Sequence, residues 1–220
     1  MSEVGFGFSF GFGLEYILTV LITMITIVDP IGLVPVYLPI AGRFPKNKHN
    51  QIILRSIIIA TIVSVFFLLA GKLLFKYLQI SASSLYIAGG ILLFLVGLEM
   101  IYARPSRSKS SPEEKEEAMA LNDVSVFPLA IPMLAGPGTI ATTIMFASRY
   151  DNWINYLVIF LALIISYLLA GFAMRFSYTL TKIFGQTGLN VLDRIMGIIL
   201  CSLAVQFIIN AMIEVFKIIR

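Results

Sequence analysis

DPIGLVPVYLP, residues 29–39, interrupts a run from Leu14 to Ile40 in which Glu15 and Asp29 are the only charged residues. Pro30, Pro35 and Pro39 each lack an N–H and crowd the preceding turn, and Gly32 lowers the cost of leaving helical geometry. The stretch therefore predicts a helix that unwinds near its middle. Backbone groups freed in hydrocarbon cost several kcal/mol each, so such a break persists only inside protein or beside a polar cavity.

The surrounding sequence is that of a membrane protein. Apolar residues make up 59% of the 220, and charged residues only 13%, well outside the averages for a soluble domain. Six spans read out at 14–40, 52–76, 84–102, 124–148, 153–175 and 194–216. Each can cross about 30 Å of hydrocarbon, which takes roughly 20 helical residues. Lipid offers no partner to an open backbone, and the spans are too long and too uniformly apolar for barrel strands. The fold class expected is an all-α polytopic membrane bundle of six transmembrane helices.

The opening MSEVGFGFSFGFG has no basic residue before its apolar run, so it is read as mature chain and not as a signal peptide. The net charge of +4 does not point to nucleic acid, because the basic residues gather in short loops. Eleven of the 16 Lys and Arg fall in the first, third and fifth loops, which sets those loops on the cytoplasmic side and both termini outside. The lone Cys201 can form no internal disulfide and is read as a small buried apolar residue.

A second interruption, PLAIPMLAGPG at 128–138, opens the fourth span. Shifting the chain by 106 lays residues 29–44 on 135–150, matching Gly32 with Gly138, Ala41 with Ala147 and Arg43 with Arg149. A shift of 100 pairs Leu68–Gly71 with Leu168–Gly171, and one of 107 lays GILLFLVGLEMI (90–101) on GIILCSLAVQFI (197–208). Three matches in one order at nearly one period describe a repeat. The units are 1–102 and 124–220, joined by a charged cytoplasmic linker at 103–123. Three spans per unit is an odd number, so the second enters from the opposite side, giving inverted repeats with broken first and fourth helices, an arrangement that recurs in secondary transporters.

At such breaks half-helix N-termini offer N–H groups to a carboxylate, and half-helix C-termini offer carbonyls to an ammonium or a cation. A small zwitterion matches both. The candidate substrate-binding residues are Asp29, Pro30, Ile31 and Gly32 at the first break, and Gly136, Pro137, Gly138 and Thr139 at the second. Asp29 could bind an ammonium, take up a coupling proton, or cap the second half-helix. Thr142 and Thr143 fit threonines that bond back to their own helix, and Thr139 is preferred for the cavity. Glu99 and Gln206, matched by the repeat, could face the cavity, although snorkelling suits Glu99 better. Asp193 and Asn210 carry weaker signals, and His49 reads as solvated in a basic loop. One histidine and one cysteine furnish no usual metal centre, no Ser, His and Asp set lies at membrane depth, and there is no P-loop. Neither an enzyme nor a cofactor is expected, and an ion gradient or the solute's own gradient must drive transport.

DPIGLVP after the first apolar run and PLAIPMLAGPGTI opening the second half resemble the paired signatures of the MarC-type family of small neutral amino acid transporters. The likeness spans essentially the whole chain, with Asp29 standing where many members carry asparagine. It implies a six-helix inverted-repeat fold and movement of glycine, alanine or similar molecules. Implied partners are glycine or a similar neutral amino acid, a coupling proton or sodium ion, and the lipid bilayer, with a homo-oligomer left open. The family's association with antibiotic resistance suggests the alternative, efflux of larger amphipathic compounds.

Overall fold

The computed structural model describes residues 13–102 and 124–219. The opening residues and the linker at 103–123 lie outside them. Among the described residues the chain forms eight helices: α1 (Leu14–Val28), α2 (Leu33–Ala41), α3 (Lys46–Tyr77), α4 (Ala82–Ile101), α5 (Ser125–Leu134), α6 (Pro137–Arg149), α7 (Trp153–Arg175) and α8 (Ser177–Ile219).

Four of these contain a stretch long and apolar enough to cross a membrane: Lys46–Leu73, Ser83–Ile101, Trp153–Arg175 and Thr187–Ile213. The pairs α1–α2 and α5–α6 each pass the same test when joined, and are bent at their breaks by 44° and 51°. Up to six spans result; four agree with the sequence reading to within a residue, while the second and sixth begin earlier, at Lys46 and Thr187. One expectation is corrected. Residues 176–193, read as a loop, are helical from Ser177 onward, where α8 starts, and change direction at Gly185, whose φ of 64° is open to a residue without Cβ.

The surface is apolar, as lipid requires. On α3, Leu54, Ile58, Ile62, Phe66, Leu69 and Leu73 recur every three or four residues and face outward. The opposite stripe of Ile53, Ser56, Ala60, Ser64 and Leu68 is buried. Each inward hydroxyl is bonded: Ser56 Oγ donates to the Ile52 carbonyl at 2.9 Å, and Ser64 Oγ meets Tyr167 Oη on α7. Trp153, 72% exposed at the start of α7, suits an anchor at the membrane interface.

Corresponding helices pack on one another in antiparallel fashion. A Cβ on Gly90 of α4 would lie 2.9 Å from the Ala204 carbonyl of α8, and one on Gly97 would lie 2.9 Å from the Gly197 carbonyl. Position thus rises along α4 as it falls along α8. The same holds for α3 and α7, where Ser64 meets Tyr167 and Ile57 meets Gly171. Several other contacts pair up between halves, α1 and α2 lying on α7 as α5 and α6 lie on α3, and α2 on α8 as α6 on α4, while α1 also touches α6 and α8.

At Gly90, Gly97 and Gly197 the α4–α8 seam is too close to admit a further side-chain atom. Gly97→Val should therefore lower stability by about 1–3 kcal/mol through overpacking, read as a lower unfolding temperature in detergent. At the end of α3, Lys72 Nζ lies 2.7 Å from Asp151 Oδ2 across the turn between α6 and α7. The exposure of both groups makes this a small contribution.

A buried polar cluster ties the start of α1 to the second half. Tyr16 Oη donates to Asn155 Oδ1 at 2.6 Å, and Asn155 Nδ2 donates to the carbonyls of Phe146 and Tyr150 at 2.9 and 3.0 Å. Asn155 is wholly buried. The sequence reading passed over it, since a single asparagine in the first turn of a span carries no periodic signal.

Candidate functional site

The first break is built around Asp29. Pro30 has no N–H to return to the Thr26 carbonyl, and α1 stops two residues before it, at Val28. Asp29 takes up a left-handed conformation, φ 50° and ψ 70°, with its own N–H still on the Ile25 carbonyl at 2.9 Å. Its side chain turns forward, and Oδ1 accepts the N–H of Gly32 at 3.1 Å. This bond closes the turn ahead of α2, whose own first N–H groups have no side-chain cap. It uses only one oxygen: Oδ2 is buried with no hydrogen-bond partner, in a residue only 3% exposed.

Gly32 is buried beside this carboxylate, and no other residue fits there. A Cβ would lie 1.9 Å from Asp29 Oδ2 and 2.6 Å from Asp193 Oδ1 on α8. The two carboxylate oxygens therefore flank a single point. Sequence reasoning gave Asp193 little weight, because its register against the first break depends on how α8 packs on α2. Pro30 and Ile31 are half-buried on the connecting turn, and Ile31 packs with Val34, Ala173 and Leu189.

The second break has a different construction. Over Ser125–Leu134 the chain winds more widely than an α-helix, with the Ala135 N–H reaching back to the Ala130 carbonyl at 2.8 Å. Extended backbone at Phe127 and Ile131, each just before a proline, interrupts it. Gly136 is buried with its Cβ position 2.3 Å from the Pro132 carbonyl, and Pro137 opens α6 where a missing N–H costs nothing. The Ile140 N–H returns to the Gly136 carbonyl at 3.0 Å, which leaves the N–H groups of Gly138 and Thr139 as the first of α6.

Gly138 brings the two breaks together. Its Cβ position is 3.4 Å from Ile27 Cγ2, two residues before Asp29, and 3.1 Å from Leu93 Cδ2 on α4. The N-terminus of α6 is thereby seated against the last turn of α1.

The threonines fall out differently from expectation. Thr139 Oγ1 donates to the Leu134 carbonyl at 3.0 Å, so the hydroxyl preferred for the cavity clasps the break instead. Thr143 bonds back to the Thr139 carbonyl at 2.7 Å, as foreseen. The hydroxyl left buried and unbonded is that of Thr142, one helical turn beyond Gly138. Gln206 faces outward and donates to Asn210 on its own helix, and Glu99 is half-buried. His49 is not simply solvated. Its Nε2 lies 2.9 Å from the Ala41 carbonyl and 3.0 Å from that of Phe44; both accept, so this nitrogen carries the proton and closes the end of α2. Among the described residues no three His, Cys, Asp or Glu side chains gather as a metal site would need.

Two broken helices meeting inside a bundle of apolar spans define an integral membrane protein. The chain belongs to the MarC family of integral membrane proteins, whose model matches residues 14–216. It is similar to the UPF0056 membrane protein of Aquifex aeolicus, 30% identical over 89% of this chain and 92% of the relative. In Escherichia coli it is similar to the UPF0056 membrane protein YhcE, 33% identical over 89% of this chain and 91% of the relative. The UPF0056 inner membrane protein YhgN of the same bacterium is 31% identical, over 88% and 94%. No solved structure matches.

Proposed function

We propose that the chain is a secondary transporter of small neutral amino acids, glycine and alanine foremost, working by alternating access around the two breaks. The observation that carries this reading is the buried, unpartnered Oδ2 of Asp29 at the C-terminal end of α1, whose last turn also lays Ile27 against Gly138 at the start of α6. The carbonyl end of one half-helix and the carboxylate favour an ammonium, and the N–H groups of Gly138 and Thr139 favour a carboxylate. An α-amino acid carries the two charges a few ångströms apart, the scale on which these half-helices adjoin. The close approach of Leu93 and Ile27 to Gly138 argues for a compact solute and against a bulky amphipathic one.

The halves act as inverted repeats in this reading. The antiparallel packing of α3 on α7 and of α4 on α8 supports it, as do contacts that survive exchange of the halves. Rocking one unit against the other would open the site to either side. The chain would sit in the inner membrane with both termini outside, do no chemistry of its own, and draw on a gradient.

Uptake of labelled glycine by proteoliposomes, competed with alanine, leucine and a hydrophobic drug, tests the assignment. Alanine should compete strongly and leucine weakly. Competition by the drug alone would overturn the assignment in favour of amphipathic efflux.

A further inference from the structure

We propose that Thr142 is a specificity-determining residue of the site, its hydroxyl receiving a hydroxyl carried on the β carbon of the solute, so that serine is bound ahead of alanine. The inference deepens the transport reading and rests on it for the solute; the choice of Thr142 rests on geometry.

Thr142 is 1% exposed, and its Oγ1 is buried without a hydrogen-bond partner. A buried hydroxyl is seldom left in that condition, because the bond it gave up to water is not replaced. A threonine in a helix has a ready partner in the carbonyl four residues earlier, which Thr26 and Thr143 both use. Thr142 makes no such bond to the Gly138 carbonyl.

The facing stripes of α1 and α6 place this hydroxyl. The Cβ position of Gly138 is 3.4 Å from Ile27 Cγ2, and the rings of Tyr16 and Phe146 meet edge to face at 6.3 Å. The two helices therefore run antiparallel, with Tyr16, Val20, Thr23 and Ile27 on one stripe and Gly138, Thr142 and Phe146 on the other. Thr142 falls midway along this contact, opposite the turn from Val20 to Thr23, and Thr23 is itself buried.

A helical side chain leans toward the N-terminus of its own helix, so Thr142 leans toward Gly138 and the break. Gly138 holds the same face one turn earlier, about 6 Å along the axis, and has no side chain to stand between. Ile27 and Leu93 flank this approach, and both are apolar. Thr142 is thus the first polar side chain along this face of α6.

In the transport reading, the ammonium lies at Asp29 and the carboxylate at the N–H groups of Gly138 and Thr139. The group left to face Thr142 is the substituent on the α carbon. A hydroxymethyl group supplies the missing partner. The methyl of alanine covers the hydroxyl and leaves it unpaired, the costlier arrangement.

The test uses the purified full chain in detergent, with binding of labelled glycine competed by serine and by alanine. Serine should bind about five- to tenfold more tightly than alanine, the usual contribution of one hydrogen bond between neutral groups. Thr142→Val removes the hydroxyl at nearly constant shape, and the ratio of serine to alanine affinity should fall to about one. Thr142→Ser keeps the hydroxyl and should keep the preference. Equal affinities of serine and alanine for the wild type overturn the proposal. So does a loss in Thr142→Val that is the same for glycine, alanine and serine, as a bound water or a purely structural hydroxyl would give. Should Thr142→Val fail to fold, Thr142→Ala read against Thr142→Ser decides, since a serine preference kept by Thr142→Ala refutes the role of the hydroxyl. Absence of binding by all three amino acids would refute the transport reading and this inference with it. Glycine binding without distinction between serine and alanine would refute the inference alone.

Discussion

Replacing Gly32 by alanine is expected to remove glycine binding while leaving the bundle folded. The added methyl would sit 1.9 Å from Asp29 Oδ2 and 2.6 Å from Asp193 Oδ1, far inside contact distance. Both carboxylates are short side chains with little freedom to retreat, and Asp29 is pinned by its hydrogen bond to Gly32 itself. The clash thus breaks that bond and spreads the acidic pair. Displacements of this order cost about 100-fold in affinity where groups must converge on a small ligand, equivalent to about 2.7 kcal/mol. Glycine affinity of the purified variant, with its unfolding curve as the folding control, is the measurement. Affinity within about twofold of wild type, a difference of only about 0.4 kcal/mol, would mean that the solute does not bind at the first break.

Asn155→Leu should produce the largest loss of stability. The substitution keeps the volume but removes the partner that Asn155 gives the buried Tyr16 hydroxyl, the buried Phe146 carbonyl and the half-buried Tyr150 carbonyl. Each stranded group costs roughly 1–3 kcal/mol in a buried setting. Hydrogen bonds between membrane helices average lower, about 0.6 kcal/mol, so a total near 2–4 kcal/mol is expected. The cluster joins α1 to α6 and α7, so the loss should appear in the main cooperative transition and not as local fraying. Tyr16→Phe removes only the hydroxyl and should cost about a third as much, in line with the single bond it deletes. Equal stability of Asn155→Leu and wild type in thermal unfolding would contradict this account.

Much of the architecture was legible because lipid imposes simple rules. Spans are long, apolar and helical, and prolines with glycines mark where they break, so both bent pairs could be located from residues 29–39 and 128–138. The two strings matched at a shift of 107 turn out to pack on one another, Gly90 against Ala204 and Gly97 against Gly197, a contact the alignment itself did not announce. The misses have a common origin in long-range register. Asp193 meets Gly32 only because α8 packs on α2, and no local pattern announces that meeting. Thr139 and Thr142 differ in role because the wide winding before Gly136 brings the Leu134 carbonyl within reach of one hydroxyl and not the other. The helix at 177–184 was missed because its polar residues, suited to a loop, suit an interfacial helix equally well.

The seam between α4 and α8 also bears on how such a protein can move. Where Gly97 faces Gly197, backbone approaches backbone, and Cys201, Met100 and Ile101 seat in the space that the glycines leave. Sliding α4 along α8 would lift those side chains out and reseat them, and such close-packed contacts favour discrete settings over continuous travel. A transport cycle of the kind proposed would therefore carry α4 and α8 as one block, with the rearrangement falling on the broken helices.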